Sequence, residues 1–185
     1  MHGRRRLSAK PVPSFVAIDF ETASYTRDSA CAVGLVRMAA GKVTDSQAFL
    51  IRPPSPQFVF TYLHGITWDM VKDAPTFAEL LPKLNAFIGG AQFVAAHNAS
   101  FDRGVFTRAC EHYGLEVPGH RYVCTVTVAR GVWSIFPTKL PDVCARLGID
   151  PGRHHDAADD ALACARIVDR ALDELGPASF ARRYL

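Results

Sequence analysis

The sequence lacks most of the features that would announce a function outright. No C-x-x-C pair occurs, and the five cysteines, Cys31, Cys110, Cys124, Cys144 and Cys164, are scattered and odd in number. That excludes a disulfide framework and a zinc ribbon, and reads as reduced, mostly buried thiols in a cytosolic protein. No apolar stretch approaches the ~20 residues of a membrane helix, because Asp19, Glu21, Asp102 and other charges interrupt the best candidates. Arg4, Arg5 and Arg6 are followed by no apolar run, so they do not open a secretory signal. There is no glycine-rich loop to cradle a phosphate. Charge of one sign is also scarce: 21 Lys and Arg against 18 Asp and Glu leave +3. That excess is too small to establish nucleic-acid binding, and Arg4–Arg6 and Arg182–Arg183 read as terminal tails.

What is present is enough for one domain. The 185 residues are 49% hydrophobic, and a chain of this size removes roughly 70% of its unfolded surface from water. Residues 1–14, basic and then proline-punctuated, read as a mobile leader, and residues 177–185 as a C-terminal tail. Between them, Phe15–Phe20, Cys31–Met38 and Lys42–Ile51 read as strands of an antiparallel meander. The period then changes. Thr76-x-x-Glu79 is a capping-box pattern, and Phe77, Leu80, Leu81, Leu84 and Ile88 recur at helical spacing before Gly89-Gly90. A buried strand over Gln92–Ala96, a helix from Phe101 to Tyr113 and a short strand at Tyr122–Cys124 follow. Helices near Val126–Trp133 and Leu140–Leu147 precede a long one from Asp156 to Leu175, stopped by Gly176-Pro177. The pattern predicts an α/β fold with a mixed sheet flanked by helices.

Three segments carry more carboxylates than a fold requires. Asp19 and Glu21 lie two apart on a strand, so they share a face and Phe20 takes the other. Either both acids reach solvent at the strand end, or a cation offsets their repulsion and desolvation. Asp102 lies in the first turn of a helix after the strand and turn Phe93–Ser100; by itself it reads as an acid favoured by the helix dipole. His154-His155-Asp156-Ala157-Ala158-Asp159-Asp160 opens the last helix, where Asp156 and Asp159 fit ordinary caps. Asp160 sits one turn further on among alanines, and small Ala157 and Ala161 let that helix lie close to a strand and bring Asp160 near Asp19. Four carboxylates without a Cys/His cluster suit hard cations, Mg²⁺ or Mn²⁺, in two-metal phosphoryl transfer.

Asp19-x-Glu21, His97-Asn98-x-x-Phe101-Asp102 and His155-x-Ala157-x-x-Asp160 resemble, in order and spacing, the three motifs of the DEDD superfamily (DnaQ-like) of 3′–5′ exonucleases. The likeness is to its histidine-bearing DEDDh branch, which includes the proofreading epsilon subunit of DNA polymerase III, and covers about residues 15–175. Leu63-His64-Gly65-Ile66-Thr67 adds a H-G-I-T signature. Moving the third motif back by one residue gives His154, Asp156 and Asp159 and loses the alanine, so His155 and Asp160 are preferred, with His154 a neighbour.

The resemblance implies a ribonuclease H-like fold with a five-stranded sheet, and an exonuclease domain over 15–176. It implies two Mg²⁺ or Mn²⁺ ions per active site, with Asp19 bridging, Glu21 and Asp160 completing one site and Asp102 supporting the other. His155 would be the general base, and nucleoside 5′-monophosphates would leave single-stranded DNA one at a time. Thr22 through its backbone, His64 with Ile66, and Asn98 with Phe101 would contact the terminal nucleotide. As structural alternatives, Phe101 fits a core position and Asn98 a helix cap. Thr22-Ala23-Ser24-Tyr25 departs from the Thr-Thr-Gly that many proofreading relatives carry. The expected partners are nucleic-acid 3′ ends, DNA before RNA, with a loose polymerase association in proofreading or repair, no membrane and a cytoplasmic location. Two other readings stand: an exoribonuclease, separated by how the pocket treats the 2′-OH, and an inactive nucleic-acid-binding module on a nuclease-like fold.

Overall fold

The computed structural model describes residues 12–185, so most of the leader expected over 1–14 lies outside the described residues. Strands β1 (Phe15–Thr22), β2 (Ala30–Ala39) and β3 (Lys42–Leu50) form the antiparallel meander. Strands β4 (Val94–Ala96) and β5 (Tyr122–Cys124) run parallel to β1, giving one mixed sheet in the order β3-β2-β1-β4-β5.

Helices cover both faces. Alternation along β1 sends Val16, Ile18 and Phe20 into a core shared with α3 (Phe77–Ile88) and α4 (Ser100–His112). Phe15 and Ala17 point the other way, into a core with α5 (Thr125–Trp133), α6 (Leu140–Leu147) and α7 (Ala157–Leu175). Asp19 and Glu21 therefore stand on the α7 face, at the end of a strand buried on both sides. The capping box at α3 forms as expected: the Glu79 amide donates to the Thr76 hydroxyl at 3.3 Å and the Thr76 amide to Glu79 Oε2 at 2.7 Å.

Gly34 lies opposite Asp19 across the β1–β2 ladder. A Cβ added there would sit 2.0 Å from the Ala157 carbonyl oxygen. The missing side chain is what lets the first turn of α7 rest on the sheet.

Two stretches differ from expectation. Residues 177–185 are not a tail: Pro177–Tyr184 form α8, with Phe180 fully buried against Phe93 at 5.9 Å. Gly176, at φ 73°, ends α7, and Pro177 then occupies a first-turn position where its missing N–H costs nothing. Burying Phe180 stabilises that helix by about 1.5–3 kcal/mol. The segment after β3 also contains two single-turn helices, α1 (Thr61–His64) and α2 (Trp68–Val71). All five cysteines are free, and four are buried. No helix among the described residues is long and apolar enough to cross a membrane.

Candidate active site

The site forms where the sheet opens. Strand β1 pairs with β4 through Val16 and Ala17 only. Beyond that point the Phe20 amide has no strand carbonyl to meet, and it donates to Asp102 Oδ1 at 3.0 Å instead. Asp102, in the first turn of α4, is 1% exposed, and its Oδ2 is buried without any hydrogen-bond partner among the described residues. A buried carboxylate oxygen left unpaired costs about 1–3 kcal/mol or more, so this atom is shaped for something that is not protein. Phe20 itself packs between Phe77 and Phe106, at 6.4 and 6.2 Å.

Asp160 enters from the first turn of α7, 4% exposed, and its Oδ2 accepts the His155 amide at 3.0 Å. Asp156 caps the same helix, accepting the amides of Ala158 and Asp159 at 3.1 and 3.4 Å. Asp159 accepts the Arg153 amide at 2.9 Å, which leaves Asp160 alone of the three acids to turn inward. One carboxylate oxygen from each of Asp19, Glu21 and Asp160 lies within 4.8 Å of the others. These residues, with Thr22, Phe101 and His155, line a cavity of about 550 Å³.

Their charges do not tolerate one another. Removal from water, then repulsion from Asp102, Glu21 and Asp160, holds the Asp19 carboxyl well above its ordinary pKa. Burial and then Asp160 push Glu21 up to about 8. Burial lifts Asp102 to about 7. A divalent cation bound among these oxygens relieves these penalties together. The unpaired Asp102 Oδ2 and the crowded trio therefore fit divalent ions.

His155 has φ +65°, a left-handed conformation rare outside glycine, and its ring stacks on His154 at 3.9 Å. Burial, and then His154, lower its pKa, which favours the neutral imidazole. His154 approaches Asp160 Oδ2 at 3.3 Å and contributes as a neighbour.

The expected substrate contacts divide. Thr22 and Phe101 line the cavity with the acids. His64 and Ile66 line an adjoining cleft of about 360 Å³, which His155 also borders. The two regions are tied by His64, whose Nε2 donates to the Thr22 carbonyl at 3.2 Å while its Nδ1 accepts the Ile66 amide at 3.0 Å. Asn98 is not among the lining residues. It sits exposed at φ +63°, and its Oδ1 accepts the Ser100 hydroxyl at 3.2 Å, a role in the turn before α4. Sequence reasoning did not place Phe60, Leu63, His97, Lys139 and Leu140, which also line the cavity. His97 carried a signal, as the first residue of the second motif; Lys139, directly before a helix, carried none.

Residues 16–168 match the family model RNase_T, described as an exonuclease. The chain belongs to the RNase_T exonuclease family. The exonuclease is 34% identical over 158 residues to the PolC-type DNA polymerase III of Clostridium perfringens, a match covering 83% of this chain and 11% of that protein. It is 33% identical over 165 residues to the PolC-type polymerase of Caldanaerobacter subterraneus, covering 87% of this chain and 12% of that one. The chain thus spans about a ninth of the length of these relatives. Among solved structures, the exonuclease superimposes on the nuclease domain of 3′hExo, a DEDDh family member bound to rAMP, with TM-score 0.80 at 21% identity, over 92% of this chain and 96% of that one. Exonuclease X in complex with 5′ overhanging duplex DNA gives 0.71 at 24% identity, over 90% and 97%. The fold is ribonuclease H-like, as the sequence motifs implied.

Proposed function

We propose that the exonuclease hydrolyses the terminal phosphodiester bond at the 3′ end of single-stranded DNA, releasing nucleoside 5′-monophosphates. The observation that carries this reading is the cluster of Asp19, Glu21 and Asp160 around one point, with the unpaired Asp102 oxygen nearby and His155 lining the same cavity.

Asp19, Glu21 and Asp160 would hold one Mg²⁺ or Mn²⁺ ion, and Asp19 with Asp102 a second. Bound there, the ions supply positive charge opposite the phosphate and raise the acidity of water. His155 accepts the proton of the attacking water, and its lowered pKa favours the free base near neutral pH. Water adds to phosphorus, the bond to the 3′-oxygen of the preceding nucleotide breaks, and that oxygen takes a proton from solvent and leaves as a hydroxyl, while His155 gives its proton back to solvent. The stack with His154 and the Asp160–His155 amide bond fix where the base stands, which favours proximity catalysis.

An unpaired strand is favoured by the cavity mouth. Phe60, a lining residue, meets Tyr25 at 4.8 Å and Tyr62 at 6.5 Å, and these tyrosines are 81% and 76% exposed. Exposed rings beside a phosphate site suit bases freed from a duplex. DNA is favoured over RNA because the two relatives described above, at 34% and 33% identity, are PolC-type DNA polymerases, and the same likeness supports a loose association with a polymerase. End-labelled DNA and RNA oligomers with Mn²⁺, resolved on a gel beside Asp19→Asn, test the reading. Mononucleotide ladders from wild type, faster on DNA and absent in Asp19→Asn, are expected. Wild-type rates from Asp19→Asn refute it.

A further inference from the structure

His97 opens the second motif, yet it takes no part in the chemistry above. Its Nε2 lies 2.8 Å from the Thr138 carbonyl oxygen. A carbonyl only accepts, so Nε2 carries the proton, and Nδ1, 2.7 Å from Thr125 Oγ1, accepts that hydroxyl. With both nitrogens engaged by protein groups, this cleft histidine has no free position for proton transfer. What it does hold is the loop between α5 and α6.

That loop is secured from its other side as well. Arg130 donates to the Thr138 hydroxyl at 2.8 Å and covers the Phe136 ring at 5.4 Å. The residue directly after Thr138 is Lys139, which lines the cavity beside the acids. Lys139 is the one lysine or arginine among the described lining residues, and it makes no ion pair with any described residue. A cation left uncommitted next to three carboxylates has a use only when something more anionic than protein enters. Its flexible stem also makes its placement depend on where its backbone is held.

We propose that Lys139 binds a backbone phosphate of the incoming strand, and that His97 is the positioning residue that latches the loop so that Lys139 reaches it. The proposal rests on the functional reading above and adds to it a phosphate-binding side chain and the device that aims it.

The test is steady-state kinetics on a thymidine oligomer across a range of salt concentrations, for wild type, Lys139→Ala, Lys139→Arg, His97→Gln and the His97→Gln/Lys139→Ala double variant. Lys139→Ala is expected to raise KM about five- to tenfold with kcat nearly unchanged. It should flatten the dependence of log KM on log salt by about 0.7, the loss of one phosphate contact on a single strand. Lys139→Arg should restore the slope. His97→Gln should lose the same slope, and in its background Lys139→Ala should cost little more. If His97→Gln does not fold, Thr125→Val, which removes the hydroxyl that Nδ1 accepts, takes its place. An unaltered salt slope in Lys139→Ala, or fully multiplicative effects in the double variant, overturns the proposal. Absence of mononucleotide release from wild type would instead overturn the functional reading.

Discussion

Replacing Glu21 by Gln should make the metal-free exonuclease more stable. Glu21 shares the end of β1 with Asp19 and faces Asp160, and burial, then the charges of Asp160, Asp102 and Asp156, lift its pKa from 4.5 to about 8. The unfolded chain leaves the group near its ordinary value, so at pH 8 ionisation works against the folded state. At ~1.36 kcal/mol for each tenfold change in proton affinity, the penalty is at most about 5 kcal/mol. Water at the cavity mouth and proton uptake by neighbouring carboxyls reduce it to about 2 kcal/mol. Because the folded-state pKa is raised, this group favours folding below pH 4.5, and the benefit is lost as pH rises through about 8. For a chain of this size 1 kcal/mol moves the melting temperature by roughly 2–4 °C, so Glu21→Gln in EDTA at pH 8 should melt roughly 4–8 °C above wild type. The gain should disappear near pH 4, where wild type is protonated. With millimolar Mg²⁺ the order should reverse, since ions that bind the folded state stabilise wild type in proportion to their occupancy. Differential scanning calorimetry under the three conditions makes the measurement. An equal or lower melting temperature for Glu21→Gln in EDTA at pH 8 would show that the carboxylates do not repel as argued.

Gly34→Ala places a Cβ 2.0 Å from the Ala157 carbonyl, so the start of α7 must move and carry His155 and Asp160 with it. We expect a loss of about 1–3 kcal/mol in denaturant unfolding and roughly 10²-fold in kcat, and wild-type values in both would show that α7 does not bear on Gly34. His155→Ala should lower kcat about 10²- to 10⁴-fold with the fold intact by circular dichroism. Because burial lowers the His155 pKa, the rising limb of the wild-type kcat–pH profile should fall below pH 6.5 and be missing in the variant; a limb that persists in His155→Ala assigns the base to another group.

Local rules carried the sequence reading far along β1. A short apolar run with period 2 places Asp19 and Glu21 together, and the Thr76–Glu79 box marks the start of α3, because both depend on neighbours a few residues away. Asp102 was different. Its sequence context suits an acid at a helix start, and only the divergence of β4 from β1, a property of the assembled sheet, explains why it is buried. Gly34 reads as one more small residue in an apolar strand until α7, more than a hundred positions later, settles on it. The α1 and α2 helices are too short for any periodicity to register. Gly176-Pro177 reads simply as a stop, yet the same pair that ends α7 also starts α8. Lys139 gave no signal because its meaning comes from His97, which reaches it through a carbonyl rather than through any sequence pattern.

The carboxylate of Asp102 is divided between two tasks: one oxygen completes the sheet by receiving the Phe20 amide, and the other remains unpaired. An asparagine could keep the first task while shedding the charge that makes the second costly. Selection for thermal resistance alone would therefore pull this position toward the amide and, with Asp102 holding an ion as proposed above, yield robust proteins that no longer cut. A directed-evolution campaign on this enzyme needs turnover in its screen from the first round, because here the shortest path to a tougher protein runs through a dead one.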